Sequence, residues 1–255
     1  MEMTRIIDLS VPLRNDPNKL MRARVEYQDH ESSARAFGPT LGIDPAQLPE
    51  GKFAGVEIVT ASTHAGTHID APYHFWPTSE GKPARTIDQI PLEWFYGDGV
   101  VLDMTHKKRA EYITVVDVQE CLRAMDYGIK PLDIVLIRTD TTTNHYFEPG
   151  YENLHPGMSR AATLWLVDQG VKVMGIDAWG LDRPFDVMAA EFKAGNRAQL
   201  WESHRVGVER EYLHMENLYG LDILPRPHGF TVAVFPIKIE KASAAWIRAV
   251  AIFDE

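Results

Sequence analysis

Residues 62–75 read STHAGTHIDAPYHF, and this stretch constrains both the path of the chain and its chemistry. Four side chains that can bind a metal ion fall within it: His64, His68, Asp70 and His74. Gly66 and Pro72 interrupt the stretch, so it cannot form one continuous helix. The backbone must therefore turn, and the small residues between the first two histidines would let it fold closely around an ion.

Neutral imidazoles and a carboxylate are the ligands that Zn²⁺ and Mn²⁺ accept. Three protein ligands with one free position are typical of a catalytic site, where bound water becomes acidic. His74 lies beyond Pro72 and could face the ion without binding it, as an acid and base for proton transfer. A set of hydrogen-bonded structural histidines is the alternative interpretation.

Composition limits the partners of this protein. The chain has 255 residues, with 26 Lys and Arg against 36 Asp and Glu, and a formal net charge of −10. This charge argues against nucleic acid or an anionic membrane as a partner, because both attract basic surfaces. Cys121 is the single cysteine, which excludes an internal disulfide. No apolar run is long enough to span a membrane. Residues 1–9 lack the apolar stretch of a signal peptide, so a cytoplasmic protein is expected.

Short β-branched runs bounded by Gly, Pro or Asp predict strands at 5–9, 56–60, 99–104, 133–138, 171–177, 231–237 and 247–253. Helices are predicted from Thr114, capped with Asp117, to Gly128, from Ser159 to Gly170, and as two shorter pieces within 186–204. Strands and helices do not alternate strictly. An α/β protein of α+β character is expected, with a mixed, largely antiparallel sheet or barrel-like core flanked by helices.

Residues 14–52 contain four X-Pro turns and are predicted to be the least regular part of the chain. One domain spanning 1–255 is expected, with about 11–55 as an inserted lid or an oligomerisation segment. The sequence lacks a phosphate-binding loop, a dinucleotide fingerprint, a serine nucleophile elbow and an HExxH helix. Kinase, hydride-transfer and serine acyl-transfer chemistry therefore lose support.

The string from His64 to His74 closely resembles HxGTHxDxPxH, the signature of a family of metal-dependent hydrolases called the cyclase family. All seven fixed positions of the signature match. The likeness continues in LHPG at 154–157, in GVKVMGID at 170–177 and in ENL at 216–218. Bacterial kynurenine formamidases and isatin hydrolases belong to this family, and the 63 residues before His64 resemble the longer members, such as isatin hydrolases.

This resemblance implies one or two divalent ions, Zn²⁺ or Mn²⁺. It implies that His64, His68 and Asp70 bind the first ion, that Asp70 bridges to a second, and that His74 is the catalytic acid and base. The second site is implied to contain His204 and Glu216. A homo-oligomer is also implied.

From the residues alone, His214 would be preferred over His204 because it shares strand parity with Glu216. The family pattern selects His204 through its twelve-residue offset from Glu216. The other histidines, His214 included, are then interpreted as structural or exposed: 30, 106, 145, 155, 214 and 228.

Aromatic residues flank the proposed site and favour a small substrate with an aromatic or heterocyclic ring. Phe75, Trp76 and Trp179 are the candidates for contact with it, against the alternative that they fill the core. The expected reaction is opening of an amide or cyclic amide, an aryl formamide or isatin-like compound, by hydroxide generated at the metal. The alternatives are a lactone hydrolase of aromatic catabolism, a metal-dependent lyase or dehydratase, and a metal-stabilised protein that only binds a small molecule.

Overall fold

The computed structural model describes residues 4–16 and 20–254, so residues 1–3, 17–19 and 255 lie outside the described part, including a piece of the predicted 11–55 segment. The strands are β1 (Thr4–Asp8), β2 (Ala23–Gln28), β3 (Val56–Ala61), β4 (His68–Asp70), β5 (Thr78–Ser79), β6 (Lys82–Pro83), β7 (Tyr96–Asp103), β8 (Tyr112–Ile113), β9 (Ile134–Arg138), β10 (Gly157–Met158), β11 (Val173–Ile176), β12 (Leu213–Glu216), β13 (His228–Ala233), β14 (Ala244–Trp246) and β15 (Val250–Asp254). The α-helices are α1 (His30–Leu41), α2 (Pro72–Phe75), α3 (Val115–Ala124), α4 (Thr141–His145), α5 (Arg160–Asp168), α6 (Phe185–Lys193) and α7 (Val206–Glu209). Single 3₁₀ turns occupy Pro45–Gln47, Pro49–Gly51, Ile87–Gln89, Leu92–Phe95, Tyr151–Asn153, Arg197–Gln199 and Leu221–Ile223.

A nine-stranded mixed sheet runs in the order β1-β15-β13-β7-β9-β11-β12-β4-β14. Its central strands β7, β9, β11 and β12 are parallel neighbours, and the remaining pairs are antiparallel. The predicted mixed, largely antiparallel sheet with flanking helices is therefore confirmed. Each of the seven predicted strands overlaps an observed one.

Two apolar cores cover the two faces of this sheet. Along β9, Ile134 and Leu136 belong to one core, whereas Val135 and Ile137 belong to the other. Alternate residues of a strand point to opposite faces, so a strand that is covered on both sides needs a continuous apolar sequence. That requirement explains why β9 is apolar from Ile134 to Ile137 and why it was recognisable as a buried strand.

The chain folds as two compact units, residues 1–12 with 63–255 and residues 13–62. The smaller unit contains the antiparallel pair β2–β3 and helix α1. The expectation of an irregular 14–52 segment is wrong for β2 and α1. The prolines of this segment were interpreted as loop residues, but Pro45 and Pro49 begin 3₁₀ turns and Pro39 lies in the last turn of α1. Proline is compatible with these positions, so its presence did not exclude helical structure.

Helix α3 begins as predicted. The Thr114 hydroxyl accepts a hydrogen bond from the amide of Asp117, whose carboxylate accepts one from the Thr114 amide at 2.7 Å. Helix α5 likewise begins after the Ser159 cap. Among residues 4–16 and 20–254, no helix combines the length and the apolar character needed to cross a membrane.

The Thr114–Asp117 capping box should be measurable as a pH-dependent contribution to stability. Burial would raise the pKa of Asp117, but hydrogen bonds from Lys107 and Thr114 outweigh it and lower the pKa to about 2. A carboxylate with a lowered pKa stabilises the fold above its unfolded pKa, and this contribution disappears as the pH falls through the folded value. We expect Asp117→Asn to cost about 1 kcal/mol at pH 7 and progressively less between pH 4 and pH 2 in urea unfolding.

Glu120→Gln, at an exposed position of the same helix, is the matched control and should change the free energy of unfolding little. An Asp117→Asn deficit that stayed constant across this pH range would show that the carboxylate charge is not what stabilises the cap.

Candidate metal centre and active site

The quoted stretch turns, forms a short strand and then one helical turn. Gly66 adopts a left-handed conformation with φ of 67°, which favours glycine, and β4 follows directly. Pro72 occupies the first position of α2, where its missing N–H costs nothing. This path brings the two histidines of the turn and strand, and the one on α2, to the same carboxylate.

Pairing between strands β4 and β12 places four polar side chains of the site next to one another. Asp70 lies opposite His214, and His68 lies opposite Glu216. Between them, Ile69 and Met215 point to the other face and join the apolar core there. The period of two along each strand therefore collects four polar side chains on one face.

Asp70 is completely buried and lies among three imidazoles of the predicted cluster. Its Oδ1 is 2.8 Å from His64 Nδ1 and 3.4 Å from His68 Nε2, and its Oδ2 is 3.7 Å from His74 Nε2. Burial opposes ionisation, but the surrounding imidazoles of His74, His68, His214 and His64, the last two through hydrogen bonds, together outweigh it and hold the pKa of Asp70 well below its ordinary value. The group is therefore a buried carboxylate at neutral pH.

His204 reaches the same place from the turn that precedes α7. Its Nδ1 donates a hydrogen bond to Asp182 Oδ2, and its Nε2 is 3.9 Å from Glu216 Oε1. The other Glu216 oxygen, Oε2, is 3.6 Å from His68 Nε2. The structure thus brings all five predicted metal ligands and His74 together, and it shows a carboxylate that orients a histidine, as is common around metal ions.

His214, interpreted from the family pattern as structural, also lies in this cluster. Its ring is fully buried, and its Nε2 is 3.2 Å from Glu216 Oε1 and 3.3 Å from Asp70 Oδ2. Burial alone would lower the pKa of His214, but hydrogen bonds to Asp70 and Glu216 outweigh it and raise the pKa to about 9. An ion bound at this nitrogen would therefore displace its proton. The strand parity of 214 and 216 was the sequence signal for this position.

The donor atoms fit a divalent cation. His68 Nδ1 lies 2.9 Å from the Gly66 carbonyl and donates to it, so His68 Nε2 carries a lone pair. That nitrogen is buried, has no hydrogen-bond partner among the described residues, and faces the carboxylate oxygens of Asp70 and Glu216. Lone pairs facing one another in a buried site are unfavourable unless a cation lies between them. Imidazole with carboxylate is a donor set that suits Zn²⁺ or Mn²⁺.

His74 differs from the other histidines in its titration. Burial lowers the pKa of His74 to about 4, although the nearby Asp70 carboxylate opposes the shift. Its imidazole is therefore neutral at pH 7 and can accept a proton. Its ring is 4.3 Å from that of His64 and 5.6 Å from that of His204, between centroids, so it borders both halves of the cluster.

The three predicted substrate contacts lie in different surroundings. Phe75 is only 2% exposed and stacks on the ring of His214 at 4.9 Å, so its position is that of a packing residue behind the site rather than a substrate contact. Trp76 is exposed, beneath the guanidinium of Arg205. Trp179 is half-buried and meets Phe185 edge to face at 5.3 Å.

Trp201 was missed by the sequence reasoning. Its half-buried indole stacks on His204 at 4.6 Å with an interplanar angle of 9°, and it lies 5.4 Å from the ring of His74. The residue adopts φ of 56°, an unusual conformation for a bulky side chain and one that tertiary contacts must maintain. The spacing of three residues between Trp201 and His204 did not predict the stacking, because the two rings meet only through the left-handed backbone conformation at Trp201.

Comparison with known proteins gives the family. The Cyclase family model, described as "Putative cyclase", matches residues 7–183. The chain belongs to the Cyclase family. This match contains His64, His68, Asp70 and His74 but ends before His204, so the placement of His204 and Glu216 depends on the structure.

Two curated members of the Cyclase family illustrate the relationship. A kynurenine formamidase from Geobacillus thermodenitrificans is 30% identical over 192 residues, which cover 75% of this chain and 77% of that protein. An isatin hydrolase from Roseibium aggregatum is 24% identical over 217 residues, covering 80% and 76%. The prediction that this chain is an enzyme of this hydrolase family is confirmed.

The fold agrees with this assignment. Isatin hydrolase A from Labrenzia aggregata, solved with benzyl benzoate, superposes with a TM-score of 0.73 over 99% of this chain and 94% of that one, at 23% identity. At this identity the likeness concerns the fold. It extends beyond residue 183, through the strand that carries His214 and Glu216.

Asp182 should be essential for orienting His204. Asp182 Oδ1 accepts from the Ser203 amide at 2.7 Å, and Oδ2 accepts from both the amide and the Nδ1 of His204. We expect Asp182→Asn to weaken divalent-ion binding by roughly 10–100-fold, because a carboxylate partner fixes the tautomer and raises the basicity of the ligating imidazole.

The affinity can be measured by chelator competition with Zn²⁺ or Mn²⁺. Asp186→Asn removes an exposed carboxylate that pairs with Arg109 and is the matched control. Unchanged ion affinity in Asp182→Asn would remove His204 from the ligand set or Asp182 from its support.

Proposed function

We propose that this protein hydrolyses the carboxamide bond of a small ring-bearing molecule, either an aryl formamide or a cyclic amide of the isatin type. The observation that carries the proposal is the position of His74, whose ring lies 4.3 Å from that of His64 and 5.6 Å from that of His204, beside a buried cluster of imidazoles and carboxylates that suits divalent ions. A base that is not itself needed as a ligand has no purpose in a purely structural metal site. The position of His74 therefore favours an enzyme over a metal-stabilised binding protein.

Two groups of residues would hold divalent ions. His64, His68 and Asp70 form the first, and Asp70 with His204 and Glu216 forms the second. A bound ion supplies Lewis acidity for the substrate carbonyl and lowers the pKa of water that it binds. Asp70 serves both groups because its two oxygens face different imidazoles.

His74 would move the proton. At pH 7 its neutral ring can accept a proton from the attacking water, which is what hydrolysis of a carbonyl requires of a general base. The resulting imidazolium can then donate that proton to the departing nitrogen. The distance of 3.7 Å between His74 Nε2 and Asp70 Oδ2 exceeds that of a hydrogen bond, so this nitrogen is not held by that carboxylate.

An aromatic substrate is favoured by the rings beside His74. Trp201 stacks on His204, and Phe185 continues the aromatic surface at 6.2 Å from Trp201. A flat ring lying against this surface would place its carbonyl substituent beside His74. The names of the curated relatives support the same class of substrate, since one is a kynurenine formamidase and another an isatin hydrolase.

Lactone opening and a lyase or dehydratase reaction remain the second and third candidates. A substrate screen of the metal-loaded protein with aryl formamides, isatin and unsaturated lactones separates the first two. Reaction in H₂¹⁸O then tests hydrolysis, because the label must enter the product carboxylate. Turnover without incorporation of ¹⁸O would favour the lyase, in which His74 abstracts a proton adjacent to a carbonyl.

The histidines should separate catalysis from ion binding. We expect His74→Ala to retain its metal while losing about 10²–10⁴-fold in kcat, since a general base contributes about this much. His68→Ala should lose both metal and turnover. Metal analysis beside steady-state kinetics provides the measurement, and undiminished turnover of His74→Ala would exclude this residue from proton transfer.

Trp201 should affect binding of the substrate ring. Loss of one stacked aromatic contact costs about 1 kcal/mol, so Trp201→Ala should raise KM for an aryl formamide roughly fivefold. A formamide that lacks a ring is the internal control, and its KM should not change. An equal rise for both substrates would indicate that the indole supports His204 rather than the substrate.

Other sequence-based expectations remain predictions. These are a homo-oligomer, a cytoplasmic location, the choice between Zn²⁺ and Mn²⁺, and a role for residues 11–55 as a lid or an oligomerisation segment. Size-exclusion chromatography with light scattering and metal analysis of the purified protein would test the oligomer and the ion directly.

A further inference from the structure

The carboxylates of Asp70 and Glu216 each divide their two oxygens between two pairs of imidazoles. Asp70 Oδ1 and Glu216 Oε2 are the oxygens nearest His68, at 3.4 and 3.6 Å. Asp70 Oδ2 and Glu216 Oε1 are the oxygens nearest His214, at 3.3 and 3.2 Å. His64 accompanies His68 on the first side and His204 accompanies His214 on the second. Each side therefore has two imidazoles and one oxygen from each carboxylate. The five ligands implied by the resemblance leave out His214 and so give the second side only one imidazole.

We propose that His214 is a protein ligand of the second ion, so that Asp70, His204, His214 and Glu216 enclose it. The ligating atom is Nε2 of His214. This assignment rests on the proposal that the cluster binds divalent ions, and it adds a ligand that the cyclase-family signature does not supply.

The separations of the donor atoms support coordination over a simple ion pair. A charge-assisted N–H···O⁻ bond is about 2.7–2.9 Å long. Two atoms bound tetrahedrally at about 2.0–2.2 Å from one Zn²⁺ lie roughly 3.3–3.6 Å apart. His214 Nε2 is 3.3 Å from Asp70 Oδ2 and 3.2 Å from Glu216 Oε1, closer to the spacing of two ligands than to that of a strong hydrogen bond.

Packing aims the ring of His214 at this position. Phe75 stacks on it with an interplanar angle of 15°, and His204 meets it edge to face at 4.5 Å. Its Nδ1 is buried and has no hydrogen-bond partner within residues 4–16 and 20–254, so no hydrogen bond at that atom sets the orientation of the ring. The imidazole is held by its faces, with Nε2 directed between the two carboxylates.

Burial distinguishes the two sides. The atoms of Asp70, His204, His214 and Glu216 lie within 4.8 Å of one another, and all four residues are buried. On the first side His68 is buried but His64 is partly exposed, and so is His74 beside the cluster. The second ion would therefore have four protein ligands and little access to solvent, as in structural sites, whereas the first would retain access for water and substrate.

The test combines a crystal structure of the full chain grown with Zn²⁺ and metal analysis of His214→Gln. We expect an anomalous peak about 2.0–2.2 Å from His214 Nε2. We also expect desalted His214→Gln to lose one of the two ions that the wild type binds. His228→Gln is the matched control, because His228 packs on Tyr127 outside the cluster, and it should retain both ions.

Two ions with neither bonded to His214, or full retention of both by folded His214→Gln, would overturn the assignment. If His214→Gln does not fold, the wild-type anomalous map decides alone. A protein with a single ion on His64 and His68 that still hydrolyses aryl formamides would overturn this inference and leave the proposed function intact. Failure of the wild type to bind any divalent ion would end both.

Discussion

Electrostatic repulsion among buried lone pairs is the constraint on which the site depends. Asp70 and Glu216 are 0% and 8% exposed, yet they share one sheet face with the imidazoles of His68 and His214. Two buried carboxylates whose oxygens lie within 4.8 Å of one another would destabilise the fold if nothing compensated their charges. The imidazoles provide part of this compensation, and a divalent cation would provide the rest. The same geometry that makes the buried carboxylates costly would therefore favour binding of a cation.

The surrounding structure holds this arrangement in place through neutral hydrogen bonds. Thr67 Oγ1 donates to the Asn217 carbonyl at 2.6 Å and accepts from the Val11 amide at 2.9 Å. The Asn217 side chain donates to the Gly66 carbonyl, which also receives His68 Nδ1. The turn before β4 and the end of β12 are thereby tied together on the rim of the site. Their backbone cannot shift without disturbing the tautomer of His68.

How much could be predicted from the sequence differs between the elements. Strands such as β9 were recognisable because burial on both faces requires a continuous apolar run, and α3 and α5 because Thr114 and Ser159 cap them locally. Helix α1 was not recognised, because its Pro39 and the prolines beyond it resemble loop residues when the caps at Asp29 and Gly42 are not considered. Capping residues and apolar runs therefore predicted the elements that contain them. The proline content of the segment gave the wrong prediction for α1, whose ends are set by its caps.

The candidate site shows the same division. The cluster from His64 to His74 was evident because its members are neighbours in sequence, and a glycine and a proline between them reveal a turning backbone. Trp201, Asp182 and the inward face of His214 belong to segments more than a hundred residues away. Their relation to the cluster depends on the β4–β12 register and on the turn before α7. The sequence by itself determined the chemical type of the donor side chains and the family. Only the tertiary structure decided which distant side chains lie beside them, because strand pairing and packing are not local properties of the chain.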